Sequence, residues 1–270
     1  MNNYRGRIID THTHIYPQKI ALKATSSIGS FYDTDMKGVG TLENLLQDME
    51  EAGVCKSFIL STATSPTQVR AINEFLIDVI HKYPDKFIAF GTVHPDMDRP
   101  VDEMEFMKKN KILGLKFHPD FQRFAVDDPK MDGIYSYASF MNIPIVFHAG
   151  DIRYHYSNPH QFLNIAEKFP NLKIIAAHFG GYTEWSESYE VLCGTDIYFD
   201  TSSSLFALDK TMVRKIISKH GIDKIFFASD FPMWHSQAEL ENIENLGLSD
   251  EEKEKILYKN AEAFLKSFEI

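Results

Sequence analysis

Apolar residues fall into two alternating patterns along the chain. Short continuous runs rich in β-branched residues read as strands buried on both faces. They cover Arg7 to Ile15, Lys56 to Thr62, Phe87 to Pro95, Ile112 to His118, Pro144 to Gly150, Leu172 to Phe179, Ile197 to Ser202 and Lys224 to Pro232. Between them apolar residues recur at spacings of three and four, the stripe of an amphipathic helix. Leu42, Leu45, Leu46 and Met49 form one stripe, Ile72, Phe75, Leu76, Val79 and Ile80 another, and Met212, Val213, Ile216 and Ile217 a third. Local signals agree: Thr41 with Asn44 predicts a helix start, and Gly53 and Gly221 predict helix ends. Ser249 with Glu252 is a capping box for a last helix from about Asp250 to Ser267.

Eight strands alternating with helices predict an α/β fold, a single (β/α)8 TIM barrel over residues 1–270 closed by a C-terminal helix. A doubly wound open sheet is the rival, but Ile15-Tyr16-Pro17 follows the first strand instead of a glycine-rich phosphate turn. Tyr16 to Gly40 break the rhythm and read as a long loop after strand 1, a lid over the barrel mouth.

Composition narrows the class. A chain of 270 residues buries a large core without staples. Its net charge of −10 argues against nucleic acid and anionic membrane, which need a basic footprint. No apolar run is long enough to span a membrane, and the polar start at Met1 lacks a signal-peptide core. Two cysteines, Cys55 and Cys193, make no disulfide framework, which predicts a cytoplasmic protein.

Barrels of this kind build their active sites at strand C-termini. His12 and His14 end the first run two residues apart, so both imidazoles can face one ion. His148 ends the fifth run, His178 the sixth and Asp230 the eighth. One polar residue after an apolar run is an ordinary strand-end cap. Five at the same end of four strands point to a shared partner, because buried polar groups need one. Imidazole and carboxylate together suit zinc, and also manganese or iron.

These residues resemble the amidohydrolase superfamily, in particular the amidohydrolase 2 branch that includes aminocarboxymuconate-semialdehyde decarboxylase and γ-resorcylate decarboxylase. The resemblance rests on the first-strand His12-Thr13-His14, Gly114-Leu115-Lys116-Phe117-His118-Pro119, His148, Ala177-His178-Phe179-Gly180-Gly181, Ser229-Asp230-Phe231-Pro232 and Ile256-Leu257-Tyr258-Lys259-Asn260-Ala261. It implies one divalent metal ion, foremost zinc, held by His12, His14, His148 and Asp230, with Asp230 and His178 as catalytic groups. Binuclear members carry a lysine bridge on the fourth strand, which makes Lys116 the candidate for a second-metal bridge. A homodimer is the family habit.

A bound divalent ion lowers the pKa of its water toward about 7. Hydrolysis of an amide, ester or lactone is therefore the first expectation, and the chain's compactness beside the decarboxylases favours it. Non-oxidative decarboxylation of a small aromatic or unsaturated carboxylic acid is the alternative, and a non-catalytic small-molecule-binding barrel the third. Arg123 and Arg153 carry forks suited to a substrate carboxylate. His118 and Trp234 are candidate pocket walls, and His94 a weaker one.

Overall fold

The computed structural model describes residues 2–268; Met1 and the last two residues of the expected 1–270 span lie outside the described residues. Eight parallel strands pair in chain order into one sheet. They are β1 (Ile8–Thr13), β2 (Val54–Leu60), β3 (Phe87–Gly91), β4 (Gly114–Phe117), β5 (Ile145–Phe147), β6 (Ile174–Ala176), β7 (Tyr198–Asp200) and β8 (Ile225–Phe226). A parallel bridge from Thr13 to Phe231 brings the chain beyond β8 back to β1. Backbone bonds from Thr11 to Phe227 (3.0 Å), Asp230 to His12 (2.9 Å) and His14 to Phe231 (2.7 Å) complete that seam. The result is the expected (β/α)8 barrel.

Its helices begin with α1 (Ala21–Tyr32), α2 (Leu42–Ala52), α3 (Val69–Lys82), α4 (Pro100–Lys109), α5 (Pro119–Gln122) and α6 (Asp132–Phe140). They continue with α7 (Pro159–Lys168), α8 (Trp185–Val191), α9 (Lys210–His220), α10 (Ser236–Asn245), α11 (Asp250–Glu254) and α12 (Asn260–Lys266). The end signals act as the sequence predicts. Thr41 accepts from the Asn44 amide, Gly53 caps α2 at φ 76°, and Ser249 and Glu252 form a complete capping box. The last helix is continuous in position but widens into a π turn over Lys255–Lys259. Among the described residues no helix is long and apolar enough to cross a membrane.

Aromatic residues on neighbouring strands pack both faces of the sheet, Phe147 meeting Tyr135 of α6 and Phe162 of α7 on the helix side. Phe58 stacks on Phe90, and Phe117 on Phe147. Gly114 permits that packing, since a Cβ there would stand 2.4 Å from Phe90 and 2.5 Å from the Pro144 carbonyl.

Two expectations need correction. The segment after strand 1 is not one long loop, because α1 occupies half of it. Its buried residues are Ala21, Thr25 and Gly29, small side chains four apart that permit close approach but show no apolar stripe. The strands also end earlier than predicted. His148, His178 and Asp230 lie just past their ladders, and His178 (φ 60°) and Asp230 (φ 63°) sit in the left-handed region. Such backbone is costly for these residues and clusters at functional sites.

Candidate metal centre and active site

β1 and the residue after it deliver His12 and His14 with their orientation already assigned by hydrogen bonds. His12 Nδ1 donates to Asp200 Oδ2 at 2.8 Å, and His14 Nδ1 donates to the Leu60 carbonyl at 2.9 Å. Each outer nitrogen therefore carries the proton, and each Nε2 presents a lone pair. The two Nε2 atoms lie 3.1 Å apart. Asp230 Oδ1 joins them at 3.5 Å from His12 and 3.3 Å from His14. Three acceptors thus converge with no proton of their own between them. Lys116, fully buried, brings its ammonium to 3.2 Å from His12 Nε2.

Carboxylates behind and beside these rings are held as anions. Burial alone would raise Asp200, but the His12 ring, His178 and the Ser202 hydroxyl hold it at about 2. Asp230 is likewise raised by burial and lowered further by His12, His14 and His178, well below the usual carboxylate range. Ser203 donates to its Oδ2, and the Trp234 indole N–H donates to Ser203 at 3.0 Å. Burial and Lys116 lower His12 to about 4, and burial lowers Lys116 to about 8. The His12 ring is therefore neutral near pH 7.

A second set lies one ring further round the barrel. His178 Nδ1 donates to the Ser202 carbonyl at 3.0 Å, so its Nε2 accepts from His148 Nδ1, 3.0 Å away. His148 Nε2 then points a lone pair at Asp120, whose Oδ2 is 3.5 Å away. His118 stacks on His148 with centroids 4.1 Å apart, and its Nε2 lies 2.8 Å from the Tyr32 hydroxyl. Burial, chiefly, pushes the Asp120 carboxyl up to about 7.

The structure thus gathers His12, His14, Asp230, His178, Lys116, His148 and His118 at one end of the barrel. It engages the arginines elsewhere. Arg153 spreads its fork on Asp151 (2.9 and 2.6 Å) and reaches the Phe31 carbonyl (2.7 Å), which ties down the end of α1. Arg123 is exposed and caps α5. His94 is buried and accepts from the Asp96 amide, the behaviour of a strand-end cap. Sequence reasoning missed Asp200, Ser202 and Ser203, although the run Asp200-Thr201-Ser202-Ser203-Ser204 after an apolar strand was a visible signal. It also missed Tyr32 and Asp120, which no periodicity marks.

The donors fit a divalent ion. His12, His14 and Asp230 offer three ligand atoms within 4.8 Å of one another, as do His118, Asp120 and His148. Two imidazoles and a carboxylate, with outer nitrogens fixed by a carboxylate or carbonyl, are what a catalytic transition-metal site requires. Fold and site together give a (β/α)8 barrel with a cluster of candidate metal ligands at one end. The amidohydrolase family model matches residues 9–266, and the chain belongs to that family. A TIM-barrel protein from Bordetella bronchiseptica superposes with a TM-score of 0.81 at 19% identity, over 97% of this chain and 99% of that one. The 5-carboxyvanillate decarboxylase of Sphingomonas paucimobilis gives 0.74 at 15% identity, over 97% and 99%. A dihydroxybenzoic acid decarboxylase of Polaromonas, with bound manganese and the inhibitor 2-nitroresorcinol, gives 0.76 at 16% identity, over 97% of each chain.

Proposed function

We propose that this chain is a metal-dependent, non-oxidative decarboxylase of a small aromatic or unsaturated carboxylic acid, acting as one catalytic domain. The observation that carries the reading is the convergence of three acceptor atoms from His12, His14 and Asp230 beside the buried Lys116 ammonium. His12, His14 and Asp230 would hold a manganese or zinc ion, which when bound supplies Lewis-acid polarisation of a substrate oxygen. His148, the expected fourth ligand, adjoins this trio through His178. The likeness to barrels that are decarboxylases supports this reaction over hydrolysis.

The chain's own residues then have distinct tasks. Lys116, buried beside His12, attracts the substrate carboxylate toward the trio. Asp230, held ionised, takes up a proton from a substrate hydroxyl and returns it to the ring carbon. The electron pair of the breaking carbon–carbon bond stays with that carbon, and carbon dioxide leaves. His178, neutral and fixed through Ser202, orients the substrate. Tyr182 packs against the His178 ring, Tyr32 against His148 and Phe121 on His118, so these aromatic groups would shield a planar substrate from water. Unpaired Cys55 and Cys193 agree with a reducing compartment, the cytoplasm.

Hydrolysis of an amide, ester or lactone is the second reading. One observation favours it: Asp230 and His178 form the acid–base pair that attack by water requires. Carbon dioxide release from a panel of hydroxylated aromatic carboxylates, measured against cleavage of lactones, esters and amides by the same manganese-loaded protein, decides between them. Carbon dioxide release that disappears in His12→Ala is the expected result. Cleavage without carbon dioxide would replace decarboxylation by hydrolysis.

A further inference from the structure

We propose a second divalent-cation site, formed by His118 Nδ1, Asp120 and His148 Nε2, separate from the His12–His14–Asp230 trio and made without Lys116. This inference goes beyond the proposed reaction and does not depend on it.

The four atoms that face one another here have no hydrogen-bond partner. His118 Nδ1, both oxygens of Asp120 and His148 Nε2 are all buried and unpaired. Unpaired buried polar atoms are rare and costly, so four in one place call for an occupant. The hydrogen bonds around the cluster say of what kind. The His178 Nδ1 proton goes to the Ser202 carbonyl, the His148 Nδ1 proton goes to His178 Nε2, and His148 Nε2 is left with a lone pair. The Tyr32 oxygen, 2.8 Å from His118 Nε2, can accept the proton there and leave His118 Nδ1 with a lone pair. Two lone pairs and a carboxylate then meet, and a buried cluster of acceptor atoms suits a cation.

Spacing supports the same conclusion. His148 Nε2 and Asp120 Oδ2 are 3.5 Å apart, and His118 Nδ1 and Asp120 Oδ2 are 3.9 Å apart. Both distances exceed a good hydrogen bond. They are near the ligand-to-ligand edge of a tetrahedral site, about 3.4 Å for metal–ligand bonds of about 2.1 Å. Asp151 and Glu184 add negative potential around Asp120, and Arg153 offsets part of it. The Tyr32 hydroxyl behind His118 and His178 behind His148 are the outer partners that ligating imidazoles usually have. The two rings are parallel within 6°. One ion sharing their in-plane lone pairs would tilt them apart, a change that crystallography reads directly.

The experiment loads chelator-stripped full-length protein with Mn²⁺, counts ions by elemental analysis, and locates them by anomalous scattering. Two ions per chain are expected, one bounded by His118, Asp120 and His148, with the angle between those two rings opened. Asp120→Asn, which preserves volume, and His118→Gln should each reduce the count from two to one and leave the ion at His12. His12→Ala with His14→Ala should leave the ion at Asp120. Melting of the metal-free variants checks folding, and Asp120→Asn should melt no lower than the parent because it removes an unpaired buried carboxylate. A single ion at His12, with only a proton or water beside Asp120, overturns the proposal, as does a second ion bridged by Lys116. An ion at Asp120 but none at His12 would sustain it and sink the proposed catalytic centre instead.

Discussion

Asp200 Oδ2 accepts the Nδ1 proton of His12 at 2.8 Å, although β8 separates their two strands in the barrel. The same carboxylate accepts the backbone N–H of His178 at 2.9 Å and the Ser202 hydroxyl. One buried anion therefore sets the tautomer of His12 and the position of the chain that carries His178.

Asp200→Asn tests that role. The amide can present its N–H₂ to His12 and favour the wrong tautomer. Outer-shell changes of this kind weaken metal binding by about 10–100-fold. Competition with a chelator should show a loss in that range, while an unchanged affinity would remove Asp200 from the site's design.

Lys116 gives the site a pH dependence. Burial lowers its pKa to about 8, and its ammonium lies against His12 Nε2. Below pH 8 that proton competes with an incoming ion, and above pH 8 it no longer does. Metal affinity should therefore rise from pH 6 toward 8, by less than the roughly tenfold per unit of a fully displaced proton, and then level off. Lys116→Met should flatten the profile in a titration with Mn²⁺.

Glu239 on α10 predicts a stability change. Burial raises its pKa to about 8, and its Oε2 has no partner. The folded state favours the protonated carboxyl, so this contribution is fully present below the unfolded pKa near 4.5 and is lost as pH rises through 8. Glu239→Gln should raise stability by about 1–3 kcal/mol at pH 9 and change it little at pH 4. Urea unfolding at the two pH values checks the sign, and a gain largest at pH 4 would contradict it.

Arg153 predicts how α1 is held over the barrel mouth. Its guanidinium bonds the Phe31 carbonyl and lies 4.7 Å from the Phe31 ring centroid. Arg153→Met should destabilise this attachment by about 1 kcal/mol, speed proteolysis within residues 20–40 and raise KM with metal content unchanged. Unaltered proteolysis would assign the anchoring of α1 to its other contacts.

Much of this architecture is written in local pattern. Continuous apolar runs give eight strands because a parallel sheet covered by helices is buried on both sides, and the helix ends follow from Thr41, Gly53, Gly221 and the Ser249–Glu252 box. The same logic places His12, His14, His148, His178 and Asp230 together, since strand C-termini share one end of a barrel. α1 escaped because it buries small residues through close packing, which leaves no hydrophobic period to read.

By itself the sequence determined the barrel, the end at which its histidines and Asp230 gather and the residue types found there, because these depend on period, capping and strand polarity along the chain. Only the tertiary structure decided which nitrogens carry protons, that Arg153 is paired with Asp151, and that Asp200, Tyr32 and Asp120 belong to the site. The physical reason is range. His12 and Asp200 stand 188 residues apart in the chain, and Tyr32 and His118 stand 86 apart. A hydrogen bond between such groups exists only once barrel closure has brought their strands and loops to a common mouth.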